Sequence, residues 1–196
     1  MKKVGITGGI GAGKTLVCKL FEVMGTPYYS ADDRAKWLQN NDPTLRNQLI
    51  ELLGKEAYET EDKSLNRPFV AQKVFADKAL LNQLNQLVHP AVAQDFEKWC
   101  MQFEDYPFIL KEAALLFETK SYQALDATIL VQAKMDTRIE RILTRDPQRS
   151  KEEIQNIIDK QMSEDEKLLL ADQVIINDEQ HSLIKQVEKM IAHFSI

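Results

Sequence analysis

The chain has 196 residues, is 44% hydrophobic and 28% charged, and carries a formal net charge of −5. That is enough chain for one sizeable core with small inserted subdomains. The acidic balance does not suggest a nucleic-acid coat or a basic membrane footprint, and no apolar stretch approaches membrane-spanning length. Cys18 and Cys100 lie far apart and form neither a disulfide framework nor a zinc pattern; they read as buried small hydrophobes, as a reducing cytoplasm allows.

Residues 2–7 read as a buried strand, carried by the short apolar run Val4-Gly5-Ile6-Thr7. Gly8-Gly9-Ile10-Gly11-Ala12-Gly13-Lys14-Thr15 follows at once and fits G-x-x-x-x-G-K-[ST]. Strand, glycine-rich turn and helix in that order make a phosphate cradle. Glycines let the backbone wrap phosphate oxygens, and the next helix adds the positive end of its dipole. Gly9, Gly11, Ala12, Gly13 and Leu16 are the expected backbone contacts to a nucleotide, with Lys14 reaching the β- and γ-phosphates and the Thr15 hydroxyl available to Mg²⁺. The alternative is a bare glycine-rich turn with no ligand.

Residues 14–24 read as a helix with Gly25 at its C-terminus, and 26–29 as a short strand ending at Ser30-Ala31-Asp32-Asp33, which opens the next helix. Asp42-Pro43 starts another helix that ends at Gly54. Residues 55–66, polar and without period, read as a loop. Apolar residues at three- and four-residue intervals across 68–103 predict two helices, broken near His89 by Pro90. Strands are expected at 107–110, 127–131 and 173–176, helices at 135–145 and 180–194, and a highly charged helical segment at 150–171. Strands alternating with helices imply an α/β fold with a parallel sheet covered on both faces. The helical excess suggests a substrate subdomain at about 55–104 and a lid at about 138–171, set into a core of about 1–54, 105–137 and 172–196.

Asp32 lies at the C-terminal end of the second strand, the edge where parallel sheets bind ligands; it could accept a proton from an attacking hydroxyl or simply cap the following helix. Glu112, after the third strand, could hold a Mg²⁺-bound water or be an exposed charge. Arg138, Arg141 and Arg145 share one helix face by their spacing; a phosphate contact by at least one of them competes with a solvated charged face. His89 reads as a structural hydrogen bonder or a substrate contact, and Asn177 as a turn cap or an adenine reader.

Together these residues resemble the dephospho-coenzyme A kinase family, from about residue 2 to residue 190. The opening run from Gly5 to Thr15 is more restrictive than a generic phosphate loop. It is followed in order by Ser30-Ala31-Asp32, where the family has Asp-Ala-Asp, by Leu65-Asn66-Arg67 with Val74-Phe75-Ala76-Asp77, by His89-Pro90 and by Leu115-Leu116-Phe117-Glu118. Arg141, Arg145-Asp146, Gln161, Ala171-Asp172 and Asn177 complete the series. Ser30 replaces the family's first aspartate, Ala114 a common proline, and Glu112 a common aspartate. The resemblance implies a P-loop NTPase-type fold, a five-stranded parallel sheet with helical substrate-binding and lid insertions. It implies transfer of the ATP γ-phosphoryl group to the ribose 3′-hydroxyl of dephospho-coenzyme A. It casts Asp32 as base or hydroxyl-positioning group, Lys14, Arg141 and Arg145 as catalytic cations, Asn177 at the adenine edge, and Arg67 and His89 beside the acceptor. Expected partners are ATP, Mg²⁺ and the acceptor, with no nucleic acid or membrane, in a monomer or weak homo-oligomer. A kinase of another small acceptor or a non-catalytic nucleotide sensor would share much of this pattern. A GTPase would need N-K-x-D and D-x-x-G, and neither occurs.

Overall fold

The computed structural model describes residues 1–59 and 61–196. Its backbone divides into two compact units, Met1–Ser30 with Phe103–Ile196, and Ala31–Gln102.

The first unit is built on a sheet of strands β1 (Lys2–Thr7), β2 (Tyr28–Ser30), β3 (Phe108–Glu112), β4 (Ala127–Gln132) and β5 (Gln173–Ile176). Their order is β2-β3-β1-β4-β5, and every pairing is parallel. Strands buried on both faces need unbroken apolar runs, which is why Val4, Ile6, Phe108, Leu110, Ile129 and Val131 are all at most 2% exposed. Helices α1 (Lys14–Val23) and α9 (Leu183–Phe194) pack against this core through Phe21, Val187 and Phe194. Phe21 meets Phe108 edge-on at 6.4 Å, and Phe194 lies 5.5 Å from the same ring. Thr128 Oγ1 donates to Asp172 Oδ2 at 2.8 Å, which ties β4 to the entry of β5.

The second unit is helical: α2 (Ala31–Asn41), α3 (Pro43–Leu53), α4 (Arg67–Ala76) and α5 (Lys78–Cys100). Residues 31–54, expected with the core, pack instead with this unit, α2 and α3 both lying against α5. Asp42 caps α3 by accepting from the Leu45 N–H at 2.9 Å, with Pro43 at the first helical position. Arg34 makes a bidentate pair with Asp95, Nε to Oδ2 at 2.8 Å and Nη2 to Oδ1 at 2.6 Å, which fixes α2 on α5.

Two local expectations fail. The helix break falls at Asp77, not near His89: Asp77 Oδ1 accepts from the Ala79 and Leu80 N–H groups at 2.8 and 3.1 Å and starts α5. α5 then runs through Pro90 because Leu84, Val88, Val92, Phe96 and Cys100 keep one buried stripe across it. Pro90 itself is exposed, where water can serve the carbonyl it leaves unpaired. Within 55–66, Lys55–Tyr58 forms a 3-10 turn, and Ala57, Tyr58 and Leu65 are buried, so the described part of this stretch is packed rather than a loose link. Residues 150–171 are helical as expected, divided into α7 (Lys151–Asp159) and α8 (Glu164–Leu170), each opened by a serine capping box. No helix among the described residues is long and apolar enough to cross a membrane.

Replacing Asp77 with Ala is expected to cost about 1 kcal/mol, the worth of an N-cap. Thermal unfolding of the variant checks it, and an unchanged midpoint would contradict the placement of the break.

Candidate active site

The site begins where β1 ends. Gly11 and Gly13 adopt φ of 80° and 89°, so the chain turns back through left-handed backbone before α1 starts at Lys14. The Ala12 N–H donates to the Gly9 carbonyl at 3.1 Å and closes the turn. Lys14 lies along the loop, with Nζ donating to the Gly8 carbonyl at 2.8 Å. Thr15 and Leu16 occupy the exposed first turn of α1, and the Thr15 side chain has no hydrogen-bond partner among the described residues. Motif and fold thus produce a loop whose open side presents backbone N–H groups, an ammonium and a hydroxyl.

The back of the loop is held by side chains from distant elements. Asn177, after β5, is 4% exposed; its Nδ2 donates to the Ala12 carbonyl at 2.7 Å and its backbone N–H to the Gln132 carbonyl at 2.7 Å. A Cβ on Gly13 would collide with that amide, so glycine at 13 serves packing as well as φ. The Asn177 amide therefore supports the loop backbone, a use of it that neither a turn cap nor an adenine reader describes.

The three arginines of α6 (Met135–Arg145) have different fates. Arg138 is 4% exposed and reaches under the loop, with Nε donating to the Ile10 carbonyl at 2.9 Å and Nη1 to Glu164 Oε2 at 2.7 Å. Arg141 lies beside Gly13 and Asn177, with Nη2 3.5 Å from Asn177 Oδ1; its Nη1 is buried and has no hydrogen-bond partner among the described residues. Arg145 has a 63% exposed side chain and pairs with its neighbour Asp146 at 3.0 Å, so the structure does not bring it to the loop. Gln161 Oε1 accepts from the Ile10 N–H at 3.0 Å. Behind α8, buried Lys167 forms an ion pair with Glu118 at 3.0 Å, and Glu118 Oε1 also accepts from the Met162 N–H at 3.0 Å.

Glu112 ends β3 level with Ile6 on β1 and Ser30 on β2, half-buried, and accepts from Ser30 Oγ at 3.3 Å. Burial, reinforced by the charge of Glu112, pushes the Cys18 thiol up to about 12, so this cysteine stays protonated and inert at neutral pH. Lys14 pulls the same thiol the other way, so cation and carboxylate both act at the base of the loop.

In the helical unit, Asp32 sits in the first turn of α2, two residues past the end of β2. It is exposed and makes no hydrogen bond or ion pair to the described residues, so it is not the cap of its helix. Arg67 opens α4 and His89 lies on α5, both exposed.

Sequence reasoning left Gln161, Glu164, Lys167 and Glu118 without assigned roles, and gave Arg138 only a shared candidacy for phosphate contact. The shared face of the α6 arginines was a signal for Arg138. Nothing local distinguishes Glu164 from the other carboxylates of a charged segment.

The comparisons with known proteins agree with this geometry. The family model described as dephospho-CoA kinase matches residues 2–182. A protein named dephospho-CoA kinase from Bacteroides fragilis strain YCH46 is 38% identical over 190 residues, covering 97% of this chain and 91% of the relative. Among solved structures, TT1252 from Thermus thermophilus superposes with a TM-score of 0.86 at 29% identity, covering 98% of this chain and 96% of that one. Dephospho-CoA kinase from Campylobacter jejuni shares the fold, with a TM-score of 0.72 at 22% identity and the same coverages of 98% and 96%. By a family match across nearly its whole length and relatives of this identity, the chain belongs to the dephospho-CoA kinase family.

Proposed function

We propose that the protein transfers the γ-phosphoryl group of ATP to the ribose 3′-hydroxyl of dephospho-CoA, giving CoA and ADP, the last step of CoA synthesis. The observation that carries the chemistry is the phosphate loop with Lys14 along it and an unpartnered Arg141 donor beside Gly13. Family membership supports the acceptor.

The loop N–H groups not already engaged, unlike those of Ile10, Ala12 and Leu16, hold the phosphates together with the N-terminus of α1, and Lys14 turns from the Gly8 carbonyl to the β- and γ-phosphates. Hydroxyl and carboxylate are the hard oxygen donors that Mg²⁺ takes, so Thr15 directly, and Glu112 through a water, fit a Mg²⁺ that arrives on the nucleotide. Bound there, Mg²⁺ would neutralise charge on the β- and γ-oxygens.

Asp32 accepts the proton of the 3′-hydroxyl and aims it for in-line attack. Arg67 and His89 contact the acceptor. Arg141 uses its unpartnered donor on the transferring group, where charge spreads over the equatorial oxygens. Arg145 joins it only if the 138–171 segment closes as a lid, which would also exclude the water that could otherwise hydrolyse ATP. A monomer or weak homo-oligomer in the cytoplasm fits this reading, and both cysteines are free thiols.

The test is ADP release from ATP with Mg²⁺ across dephospho-CoA, AMP, CMP and simple nucleosides. Strong stimulation by dephospho-CoA alone is expected. Stimulation by another acceptor instead would overturn the acceptor while keeping the kinase, and no stimulation by any would favour a sensor.

A further inference from the structure

The outer turn of the phosphate loop is clamped from behind at one residue. The Ile10 carbonyl accepts from Arg138 Nε at 2.9 Å, and the Ile10 N–H donates to Gln161 Oε1 at 3.0 Å. Both backbone polar groups of residue 10 are thus held by side chains of the 138–171 segment rather than by the loop. The Arg138 guanidinium lies so close under Gly9 that a Cβ there would collide with it. Glu164 braces the arginine from the far side, Oε2 accepting from Nη1 at 2.7 Å, while Glu164 Oε1 is buried with no hydrogen-bond partner among the described residues. A cavity of about 360 Å³ adjoins this cluster, with Gly9, Arg138, Gln161, Glu164 and Lys167 on its wall.

A buried, charge-assisted arginine with two anchored partners is a rigid strut, because its planar fork fixes both directions at once. The strut acts at one end of the loop. Lys14 Nζ rests on the Gly8 carbonyl, so the ammonium that reaches the β- and γ-phosphates lies at the end next to Gly9 and Ile10. At the other end, the Ala12 carbonyl, just before Gly13 and α1, is held separately by Asn177 Nδ2.

We propose that Arg138, braced by Glu164, is a positioning residue that sets the Gly9–Ile10 turn for the terminal phosphate of ATP, so that preference for ATP over ADP depends on it. The proposal rests on the kinase reading. It places no acceptor in the argument.

The test is calorimetric titration of the full chain with ATP and with ADP, in Mg²⁺ and without acceptor, on wild type, Arg138→Gln, Glu164→Gln and the double variant. Losing a buried charge-assisted hydrogen bond at this turn is expected to weaken ATP about tenfold and ADP less than about threefold in Arg138→Gln. Adding Glu164→Gln to that variant should cost nothing more, because the brace has no strut left to hold. Should Arg138→Gln fail to fold, Glu164→Gln alone carries the test, since it keeps the shape and should shift ATP in the same direction while sparing ADP. Equal losses for the two nucleotides, unchanged ATP affinity in a folded variant, or additive losses in the double variant would overturn the role. Wild-type protein that bound neither nucleotide would remove the kinase reading and this proposal together, whereas equal losses remove only the proposal.

Discussion

Asp32→Asn is expected to lower kcat by about a hundredfold or more while leaving ATP affinity within about twofold. That loss corresponds to roughly 2.7 kcal/mol of barrier, the effect of removing a base or hydroxyl-positioning carboxylate. The same substitution should barely move stability. Asp32 is exposed and unpartnered among the described residues, and its remaining contribution is a first-turn charge worth about 0.3–1 kcal/mol against the α2 dipole. A merely helix-stabilising Asp32 predicts the reverse pattern, a lower unfolding temperature with kcat retained. Steady-state kinetics beside thermal unfolding separates the two, and near-normal kcat would end the catalytic assignment.

Lys14→Ala is expected to weaken ATP about tenfold or more and also to lower kcat about a hundredfold. On the proposed mechanism its ammonium serves the bound phosphates in the ground state and the spreading charge during transfer, so KM and kcat should move together. It also donates to the Gly8 carbonyl at 2.8 Å, so the variant loses a clip that shapes the loop. On the proposed mechanism Arg141→Ala should differ, with kcat falling more than ATP affinity, because its Nη1, unpartnered among the described residues, would serve the transferring group. Unchanged ATP affinity in Lys14→Ala would contradict the phosphate-cradle assignment.

The strands were legible in the sequence for a physical reason. A parallel strand buried on both faces must be an unbroken apolar run, and Val4–Ile6, 108–110 and 129–131 are such runs. Their order in the sheet was not legible, because β1 lies between β3 and β4 by long-range pairing that no local pattern encodes. The break in the long helical stretch was misplaced because Pro90 was weighed above the stripe that passes through it. Leu84, Val88, Val92 and Phe96 hold their four-residue spacing on both sides of Pro90, and Asp77 offers a cap with two N–H partners. In the site, the spacing of Arg138, Arg141 and Arg145 was visible, but their division of labour was not. Arg138 is buried because Ile10 and Glu164 meet it from far along the chain, Arg141 is half-buried beside Asn177, and Arg145 pairs, among the described residues, with its neighbour Asp146. Spacing places residues on a face; partners from other elements decide which of them works there.

The most direct measurement is the identity of the product formed from ATP, Mg²⁺ and dephospho-CoA, by mass spectrometry with phosphorus NMR to locate the new phosphate. A product heavier by one phosphoryl group, carried on the ribose 3′-oxygen and formed in step with ADP, is the predicted result. ADP formed without a phosphorylated acceptor, or a phosphate on any other oxygen, would contradict it.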